Sequence, residues 1–321
     1  MMTISHRRVT TTKGMFMVTH SSKKQVVLIT GASTGIGNLT ARALGEAGHT
    51  VYASMRNVKG RNSKHVNELL EYGERNGLDI RVVELDVQSD TSVENAVSAI
   101  LVETGKLDTV VHNAGHLYVG YVEAFTPENI QHLFDINVIG IQRVNRAVLP
   151  HMRERHTGTL LYVGSTTTVV VPPFLGPYVA SKFAADALAQ VTAYEVGQLG
   201  IETTIVMPGA FTQGTDHFPN ASRSGDVNRN QAYSILDPLV DRNESATTNL
   251  FPSDVDAHPR AVAEEIARIL SLPAGSRPFR SVVDFTDSHV EEVNRVLRRA
   301  QEEFVTRLGF GELLHIRTAL N

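Results

Sequence analysis

Short apolar runs alternate with amphipathic segments along most of this chain. The apolar runs are rich in Val, Ile and Leu, which is typical of strands that are buried on both faces of a parallel sheet. The segments between them carry apolar residues at helical spacing. Strands are predicted at residues 25–30, 50–54, 79–85, 108–111, 158–163, 201–207 and 279–285. Helices are predicted at residues 38–47, 61–76, 91–104, 126–149, 178–199, 259–270 and 288–308.

The alternation of strands and helices continues to the end of the chain, which favours a single α/β domain over residues 25–321. Residues 213–257 interrupt it with many Ser, Asn and Asp residues, several Pro residues and only scattered apolar residues. Because a connection of this length inside a compact domain usually has a function or is partly disordered, we interpret it as a mobile substrate lid with helical pieces. Residues 1–24 are basic, contain no acid and are expected to form a flexible N-terminal segment. A transit peptide and a start at Met15 or Met17 are the alternatives.

Composition favours a soluble globular protein. Hydrophobic residues make up 42% of the chain, charged residues make up 20%, and the net charge is -4, so no overall basic field suggests nucleic acid as a partner. No run of about 18 apolar residues predicts a membrane span. The chain has no Cys, which excludes disulfides and thiolate metal sites and favours a reducing compartment, so a cytoplasmic location is expected. His112 and His116 lie in a glycine-containing loop and no HExxH pattern occurs, so no metal site is expected.

The first predicted strand leads into a glycine-rich loop that ends at a predicted helix. The loop reads TGASTGIG. Gly31, Gly35 and Gly37 allow a tight turn and a close approach of the backbone to a pyrophosphate, and the following helix N-terminus presents free N–H groups. The order of strand, turn and helix favours a dinucleotide-binding loop over an ordinary tight turn. The other loop residues that are expected to contact the cofactor are Ser33, Thr34 and Ile36.

The second predicted strand is followed by an arginine rather than an acid. A dinucleotide-binding unit that prefers NAD has a carboxylate at this point, which holds the ribose 2'-hydroxyl. This chain has Met55, Arg56 and Asn57 instead. The guanidinium of Arg56 suits a 2'-phosphate, which favours NADP(H) as the cofactor, with NAD(H) as the alternative. A solvated surface arginine is the alternative role for this residue.

Two further strand ends carry candidate cofactor contacts. Asp86 and Val87 follow the third strand, where residues face the ligand crevice of such sheets. Asp86 can accept a hydrogen bond from an adenine amino group, and a helix N-terminal cap is its alternative role. The fourth strand ends in HNAG, where the small residues Asn113, Ala114 and Gly115 would let the loop lie flat against a nucleotide.

Tyr178 and Lys182 are four residues apart at the start of a predicted helix, so their side chains share one face. A buried ammonium beside a phenol favours the phenolate, so the pair predicts a tyrosine whose pKa is lowered toward neutrality and which exchanges a proton with a carbonyl or alcohol oxygen. Ser165 lies just past the carboxyl end of the fifth strand. Asn137 lies within the fourth predicted helix, where Asn is a poor helix former, so it has either a specific task or a purely local bond.

Together these motifs resemble the short-chain dehydrogenase/reductase family over residues 25–209, and more loosely to residue 285. TGASTGIG resembles the cofactor loop of that family, and HNAG resembles its NNAG segment with one change, at His112. Pro208 and Gly209 match its loop on the nicotinamide side. The length of the chain and the long lid resemble the steroid- and retinol-dehydrogenase-like members. The residues that fall at the positions of the family's catalytic tetrad are Asn137, Ser165, Tyr178 and Lys182.

The resemblance implies a Rossmann fold, with a doubly wound parallel seven-stranded sheet in the order 3-2-1-4-5-6-7 and helices on both faces. It also implies NADPH-dependent reduction of a ketone or aldehyde, or the reverse reaction. Tyr178 would exchange the proton, and Lys182 would lower its pKa and bind the nicotinamide ribose. Ser165 would hydrogen-bond the substrate oxygen, and Asn137 would hold a water linked to Lys182. The alternatives are an NAD-preferring alcohol dehydrogenase and a non-catalytic NAD(P)-binding regulator.

Two more expectations come from the resemblance. The family has a Thr after the Pro-Gly pair that contacts the nicotinamide carboxamide, and Thr212 is the candidate here, although it follows Pro208 and Gly209 more closely than usual. A homodimer or homotetramer is expected through the two long helices that begin near Pro127 and Tyr178.

Overall fold

The computed structural model describes residues 23–317, and nine strands lie within this part of the chain. The strands are β1 (Val26–Ile29), β2 (Thr50–Met55), β3 (Ile80–Glu84), β4 (Thr109–His112), β5 (Tyr118–Val119), β6 (Gly158–Val163), β7 (Ile201–Pro208), β8 (Ser222–Arg223) and β9 (Arg280–Val283). Seven of them form one parallel sheet in the order β3-β2-β1-β4-β6-β7-β9, and β5 pairs with β8 in a small second sheet. The predicted order of the large sheet is confirmed once the two strands of the small sheet are left out.

Helices cover both faces of the large sheet. They are α1 (Gly35–Glu46), α2 (Ser63–Asn76), α3 (Asp90–Thr104), α4 (Pro127–Phe134), α5 (Gly140–Arg155), α6 (Gly176–Gly197), α7 (Val227–Ala232), α8 (Asp237–Asp241), α9 (Asn243–Thr248), α10 (Arg260–Ser271) and α11 (Val290–Arg307). Buried residues of α3, α5, α6 and α11 pack on one face, and buried residues of α1, α2 and α10 pack on the other. The predicted doubly wound architecture is therefore confirmed.

The strands are continuous runs of apolar residues because helices cover both faces of the sheet. Successive side chains of a strand point to opposite faces. In β1, Leu28 belongs to the cluster under α3 and α5, whereas Ile29 belongs to the cluster under α1 and α10. Both side chains are fully buried. At about 25 cal/mol per Å² of apolar area removed from water, such residues supply most of the favourable free energy of folding.

The small sheet was not predicted. Tyr118 pairs with Ser222, and Val119 pairs with Arg223. Two-residue strands carry too little periodicity to be recognised, and the pairing joins segments that lie about a hundred residues apart in the chain. It ties the loop after β4 to the segment that was interpreted as a lid. That segment also contains α7, α8 and α9.

The prediction that the fourth helix ends before Pro150 is wrong. Helix α5 contains Pro150 and continues to Arg155, and a left-handed residue, His156, follows it. A proline inside a helix costs about 3 kcal/mol because it lacks an N–H group and its ring clashes with the preceding turn. The last turn is nevertheless retained because Met152 is fully buried against the sheet. Tertiary packing therefore outweighs the local preference.

The predicted flexible N-terminal segment covers residues 1–24, of which residues 1–22 lie outside the described residues. Within residues 23–317, every helix is either too short or too polar to span a lipid bilayer.

Candidate active site

A cleft of about 960 Å³ opens at the carboxyl ends of the central strands. Gly31 follows β1, Asn113 follows β4, Ser165 follows β6 and Pro208 ends β7, and all of them line the cleft. The strand order reverses between β1 and β4, which is where open α/β sheets bind their ligands. The volume is at the upper end of the range for small-molecule sites. The predicted site residues that line it are Gly31, Ser33, Thr34, Gly35, Ile36, Arg56, Val87, Asn113, Ala114, Gly115, Ser165, Tyr178, Lys182, Pro208 and Gly209.

The glycines of the loop between β1 and α1 are required by its backbone. Gly31 and Gly35 have φ angles of 68° and 54°, in the left-handed region that favours glycine. A Cβ atom on Gly31 would lie 2.9 Å from the Cα atom of Ala114. A Cβ atom on Gly37 would collide with the carbonyl oxygen of Gly31, so Gly37 keeps the helix close to the loop although it does not line the cleft. The loop therefore presents bare backbone to the cleft.

Asn113 joins the loop after β4 to the glycine loop. Its side-chain amide donates to the carbonyl oxygens of Thr30 at 3.0 Å and Gly31 at 2.8 Å. The hydroxyl of Thr30 accepts from the backbone N–H groups of Asn113 and Ala114, both at 3.0 Å. These bonds fix the two loops side by side, and the small residues Ala114 and Gly115 form part of the cleft wall.

One end of the cleft is basic. Arg56 lines it together with Arg61 and His65, and Asn62 lies among them. Asn57 has a positive φ angle of 48°, and the side-chain amide of Asn62 donates to the carbonyl oxygen of Arg56, so the chain turns back on itself here. Sequence reasoning missed Arg61 and His65 because the turn, rather than any periodic spacing, brings them to Arg56. The concentration of basic residues in RNVKGRNSKH is the signal that could have identified them.

Asp86 does not line the cleft, whereas its neighbours Leu85 and Val87 do. A carboxylate oxygen of Asp86 accepts from the backbone N–H of Gln88 at 3.1 Å. The alternative role of Asp86 as a helix cap is wrong, because the side chain of Ser89 caps α3 by accepting from the N–H of Ser92. The contact of Asp86 with an adenine amino group stays a prediction.

Ser165, Tyr178 and Lys182 meet where β6 ends and α6 begins. Ser165 is buried, and its hydroxyl oxygen accepts from the N–H and the hydroxyl of Thr167 at 3.1 and 2.9 Å. Tyr178 and Lys182 lie one turn apart on α6, and the Nζ atom of Lys182 is 5.8 Å from the centre of the Tyr178 ring. That ammonium donates to the carbonyl oxygen of Val163 at 3.1 Å. The three side chains thus line one part of the cleft.

The predicted shift of the pKa of Tyr178 toward neutrality is not observed, because the charge of Lys182 does not outweigh the burial of the phenol. Burial raises the pKa of Tyr178 to about 12, and the side chain of Ser165 opposes this only in part. Burial also lowers the pKa of Lys182 to about 8. Desolvation disfavours the charged form of each group, and the ammonium is directed to the Val163 carbonyl. Tyr178 therefore holds its proton at neutral pH, as a proton donor must.

Asn137 lies in a wide helical turn, Asp135–Ile139, between α4 and α5. Its side-chain amide donates to the carbonyl oxygen of His116 at 3.0 Å and to the hydroxyl of Ser181 at 2.9 Å, and its side-chain oxygen accepts from the N–H of His116 at 2.8 Å. Turns of this type often occur at functional sites. Asn137 thus ties the loop after β4 to the turn of α6 that carries Lys182. Its predicted water link to Lys182 stays a prediction.

His217, in the segment 213–257 that was interpreted as a lid, was not predicted to belong to the site. Its ring meets the ring of Tyr178 edge to face, with 5.5 Å between the ring centres, and it lines the cleft. Burial lowers its pKa to about 4, with smaller contributions from Lys182 and His116, so the ring is neutral at physiological pH. His116 contacts the same segment nearby, with 2.7 Å between its Nε2 atom and the hydroxyl oxygen of Ser222. A single histidine in a polar segment gives no sequence signal.

Pro208 and Gly209 line the cleft, but Thr212 does not. The hydroxyl of Thr212 accepts from the hydroxyl of Thr248 in α9 at 3.1 Å. Thr215, three residues later, lines the cleft and lies beside Gly35. Thr212 is therefore not among the residues that line the cleft, and its contact with the carboxamide stays a prediction.

His112 points away from the cleft into the core, on the face of the sheet that α5 covers. It pairs with Tyr162 across β4 and β6, and the two rings stack with their centres 4.7 Å apart. Its Nε2 atom has no hydrogen-bond partner within the described residues. Burial lowers the pKa of His112 to about 4, and the side chain of Asn145 opposes this only weakly. This residue is a structural element of the core rather than a cofactor contact.

We expect His112 to make the protein less stable in mild acid. An unfolded histidine titrates near pH ~6.5, so between pH 6.5 and 4 the unfolded chain takes up the proton that the folded chain excludes. The stabilisation is complete above the unfolded pKa and is lost as the pH falls toward the folded pKa. Between pH 7.5 and pH 5 this amounts to about 2 kcal/mol in the free energy of unfolding, at about 1.4 kcal/mol per pKa unit.

The measurement is urea unfolding of the parent and of His112→Asn at pH 7.5 and pH 5. Other histidines titrate equally in both proteins, so the difference between the two pH dependences isolates His112. The variant should lose about 2 kcal/mol less than the parent over this interval. Equal losses would show that His112 does not exclude the proton.

The lining fits a nicotinamide dinucleotide. Bare backbone at Gly31 and Gly35 leaves room for a pyrophosphate, and a Cβ atom at Gly31 would clash with the backbone of Ala114 beside it. The basic end at Arg56 and Arg61 suits a phosphate on the adenosine ribose. Tyr178 and Lys182 line the same cleft. Within residues 23–317, no group of three or more His, Asp or Glu side chains is arranged to hold a metal ion.

Comparison with known proteins gives consistent matches. A model of the short chain dehydrogenase family matches residues 25–224. The 3-ketodihydrosphingosine reductase of Bacteroides thetaiotaomicron is 31% identical over 261 residues, which cover 81% of this chain and 87% of that protein. The mouse 17-beta-hydroxysteroid dehydrogenase type 1 is 34% identical over 191 residues, which cover 58% of this chain but only 54% of that protein.

A solved structure matches as well. The alcohol dehydrogenase of the archaeon Thermococcus sibiricus, complexed with 5-hydroxy-NADP, superposes with a TM-score of 0.63 at 26% identity. The match covers 81% of this chain and 96% of that structure.

Proposed function

The chain belongs to the short-chain dehydrogenase family, and from that premise we propose that it is an NADPH-dependent reductase of ketones or aldehydes. As a member of the family it is an oxidoreductase that acts on CH–OH or carbonyl groups with a nicotinamide cofactor. The observation that carries the proposal is Tyr178. This tyrosine lines the cleft beside Ser165 and Lys182, and burial keeps its hydroxyl protonated.

The proposed chemistry divides the work among these residues. A reduced nicotinamide supplies the hydride when it is bound. Tyr178 donates its hydroxyl proton to the carbonyl oxygen of the substrate, so that the O–H bond of Tyr178 breaks and the O–H bond of the product alcohol forms. Ser165 holds the same oxygen and stabilises the negative charge that develops on it. Lys182 stabilises the phenolate that remains on Tyr178.

One observation supports reduction over oxidation. The relative from Bacteroides thetaiotaomicron is named a reductase of a keto compound. The alternative, an NAD-preferring alcohol dehydrogenase, does not have this support.

The preference for NADPH is supported by the basic end of the cleft. Arg56 and Arg61 line it, and the residue at the end of β2 is Met55 rather than an acid. The related archaeal alcohol dehydrogenase was solved with an NADP derivative.

Apolar side chains line the part of the cleft next to the lid, which suggests a largely apolar substrate. Phe218 and Leu250 of the lid, together with Val170, Val171 and Leu175 before α6, line this side. His217 is neutral and lies next to Tyr178, so it offers a polar contact close to the reacting carbonyl. Binding an apolar substrate here would stabilise the complex by about 25 cal/mol per Å² of buried apolar area.

The test is the consumption of NADPH with a panel of ketones and aldehydes that runs from small polar compounds to long-chain and alicyclic ones. We expect turnover, and we expect kcat/KM to rise with the apolar size of the substrate. If NADPH binds but no member of the panel is reduced, the proposal is wrong and the non-catalytic regulator becomes the better description.

Arg56 is expected to select the cofactor. A hydrogen bond to a charged group contributes roughly 1.5–3 kcal/mol, so the parent should prefer NADPH over NADH by about 10- to 100-fold in kcat/KM. Arg56→Ala should lose most of this preference, and Arg56→Ala with Arg61→Ala should lose the rest. The value of kcat with saturating NADPH should stay close to that of the parent, because neither arginine takes part in the proposed proton transfer.

The control is Arg75→Ala, an arginine in the last turn of α2 that does not line the cleft. The measurement is kcat/KM for both cofactors in all four proteins. A parent that prefers NADH, or a ratio that Arg56→Ala leaves unchanged, would make Arg56 a surface residue and the preference for NADPH wrong.

We also propose that the protein forms a homodimer or homotetramer through α4, α5 and α6. Large apolar side chains are exposed on α4, on α6 and on the turn between α4 and α5. They are Ile130, Ile139, Phe183, Leu188 and Val191. Exposed apolar residues on adjacent helices are typical of an interface between subunits.

A further inference from the structure

Two groups of Thr167 bind the hydroxyl of Ser165. The backbone N–H of Thr167 donates to the Oγ atom of Ser165 at 3.1 Å, and the hydroxyl of Thr167 donates to the same atom at 2.9 Å. A serine hydroxyl can accept two hydrogen bonds and donate one. Both acceptor positions of Ser165 are therefore occupied, and its single proton is left for a third partner.

Tyr178 fixes the direction of the contact between the two hydroxyls. Burial raises the pKa of Tyr178 to about 12, and a hydrogen bond with the side chain of Ser165 acts in the opposite direction. A hydrogen bond that lowers the pKa of a phenol stabilises the phenolate, so Ser165 is the donor in this bond. Because Ser165 has only one proton to donate, the hydroxyl of Thr167 is the donor in the other contact.

The turn that follows β6 produces this arrangement. The side chain of Ser165 caps the short turn Thr166–Thr168, and Thr167 is the second residue of that turn. Ser165 is buried, and Thr167 is half-buried and lines the cleft with it. Hydrogen bonds at this depth are stronger than those in water, and successive donors in a chain polarise one another. Such a chain runs from Thr167 through Ser165 to Tyr178.

We propose, on the basis of the proposed function of the cleft, that Thr167 is a positioning residue that holds the hydroxyl of Ser165 in the role of a donor. A Ser165 with a free acceptor position could accept the proton of Tyr178, which would then be turned away from the substrate. With both acceptor positions filled, Ser165 donates to the substrate oxygen as negative charge develops on it. Thr167 neither gives up nor takes a proton in this step.

Thr168 provides a matched comparison. Its hydroxyl donates at 2.9 Å to the backbone carbonyl oxygen of Ser165 rather than to the side chain. Thr168 belongs to the same turn and is also half-buried, but it does not line the cleft. The carbonyl oxygen of Ser165 also accepts from the N–H of Thr168 at 3.3 Å, so it keeps a partner when the hydroxyl is removed. The two threonines therefore differ in which atom of Ser165 they bind.

The first test replaces the hydroxyl of Thr167 by a methyl group. Thr167→Val keeps the backbone N–H and the branched shape, so only one acceptor position of Ser165 becomes free. We expect kcat for ketone reduction to fall about 10-fold, while KM for the ketone and Kd for NADPH change by less than about threefold. Thr167→Ser should restore kcat to within about threefold of the parent, because it restores the hydroxyl.

The control is Thr168→Val, which should keep kcat within about threefold of the parent. Circular dichroism and the thermal midpoint check that the variants fold. An unchanged kcat in Thr167→Val, or an equal fall in Thr168→Val, would overturn the proposal. A rise in KM for the ketone at unchanged kcat would make Thr167 a substrate contact, which also overturns it.

The second test determines whether Thr167 acts through Ser165. Ser165→Ala should lower kcat by about 100- to 1,000-fold, which is the effect of removing one donor to a developing oxyanion. Adding Thr167→Val to Ser165→Ala should lower kcat by less than about twofold more, because the hydroxyl that Thr167 positions is already absent.

A further fall of about 10-fold in this double variant would show that Thr167 acts independently of Ser165, and the proposal would be wrong. A parent without turnover would overturn the proposed function and the role of Thr167 together. Turnover in the parent with independent effects of the two substitutions would overturn only the role of Thr167.

Discussion

Tyr178→Phe should lower kcat by about 100- to 10,000-fold, which is the contribution of a positioned general acid. The substitution removes only the hydroxyl, which holds the proton that the substrate oxygen needs and which burial keeps protonated. The affinity for NADPH should change by less than about threefold, because the predicted ribose contact belongs to Lys182 and the ring of Tyr178 remains.

The matched control is Tyr118→Phe. Tyr118 belongs to the same apolar cluster as Tyr178 but does not line the cleft, and its hydroxyl oxygen lies 3.1 Å from the Nδ1 atom of His132. The measurements are kcat with saturating NADPH and the Kd for NADPH by fluorescence titration. Activity of Tyr178→Phe within a few-fold of the parent would refute the assignment of Tyr178 as the acid.

Lys182→Ala should impair both turnover and cofactor binding. Lys182 stabilises the phenolate that proton transfer leaves on Tyr178, and its ammonium is the predicted donor to the nicotinamide ribose. A hydrogen bond from a charged donor contributes roughly 1.5–3 kcal/mol, so the Kd for NADPH should rise by about 10- to 100-fold. The value of kcat should fall as well, by about 10-fold or more.

The pKa of Lys182 adds a pH dependence to this prediction. Burial lowers it to about 8, so the ammonium is lost as the pH rises through that value. The affinity of the parent for NADPH should therefore weaken between pH 7 and pH 9, and that of Lys182→Ala should not. Equal affinities of the parent and the variant at pH 7 would count against the ribose contact.

The periodic features of the chain were predicted well from the sequence. The strands and helices were available because each buried strand leaves a continuous apolar run, and each strand is followed by a helix of clear period. The order of the strands in the sheet came from the resemblance to the family. Tyr178 and Lys182 were found because their spacing of four residues is a property of the helix itself. The backbone of the glycine loop has left-handed φ angles at Gly31 and Gly35, which favour glycine. This requirement leaves a glycine motif in the sequence, and the loop was found from that motif.

The features that depend on distant contacts were not predicted. Arg61 reaches the cleft only because the chain turns back at Asn57. His217 reaches Tyr178 because β5 and β8 pair across a long separation in the chain. The pKa of Tyr178 is set by burial, which no local spacing reveals. Pro150 stays helical because Met152 packs into the core. In each case tertiary structure outweighs a local pattern.

The most direct test of the central claim is the transfer of deuterium from NADPH that is doubly deuterated at C4 to a ketone of the panel. In a single turnover of the parent, the product alcohol should carry one deuterium on the former carbonyl carbon, and Tyr178→Phe should form this product at least about 100-fold more slowly. A product without deuterium, or transfer by Tyr178→Phe at the rate of the parent, would contradict NADPH-dependent carbonyl reduction with Tyr178 as the proton donor.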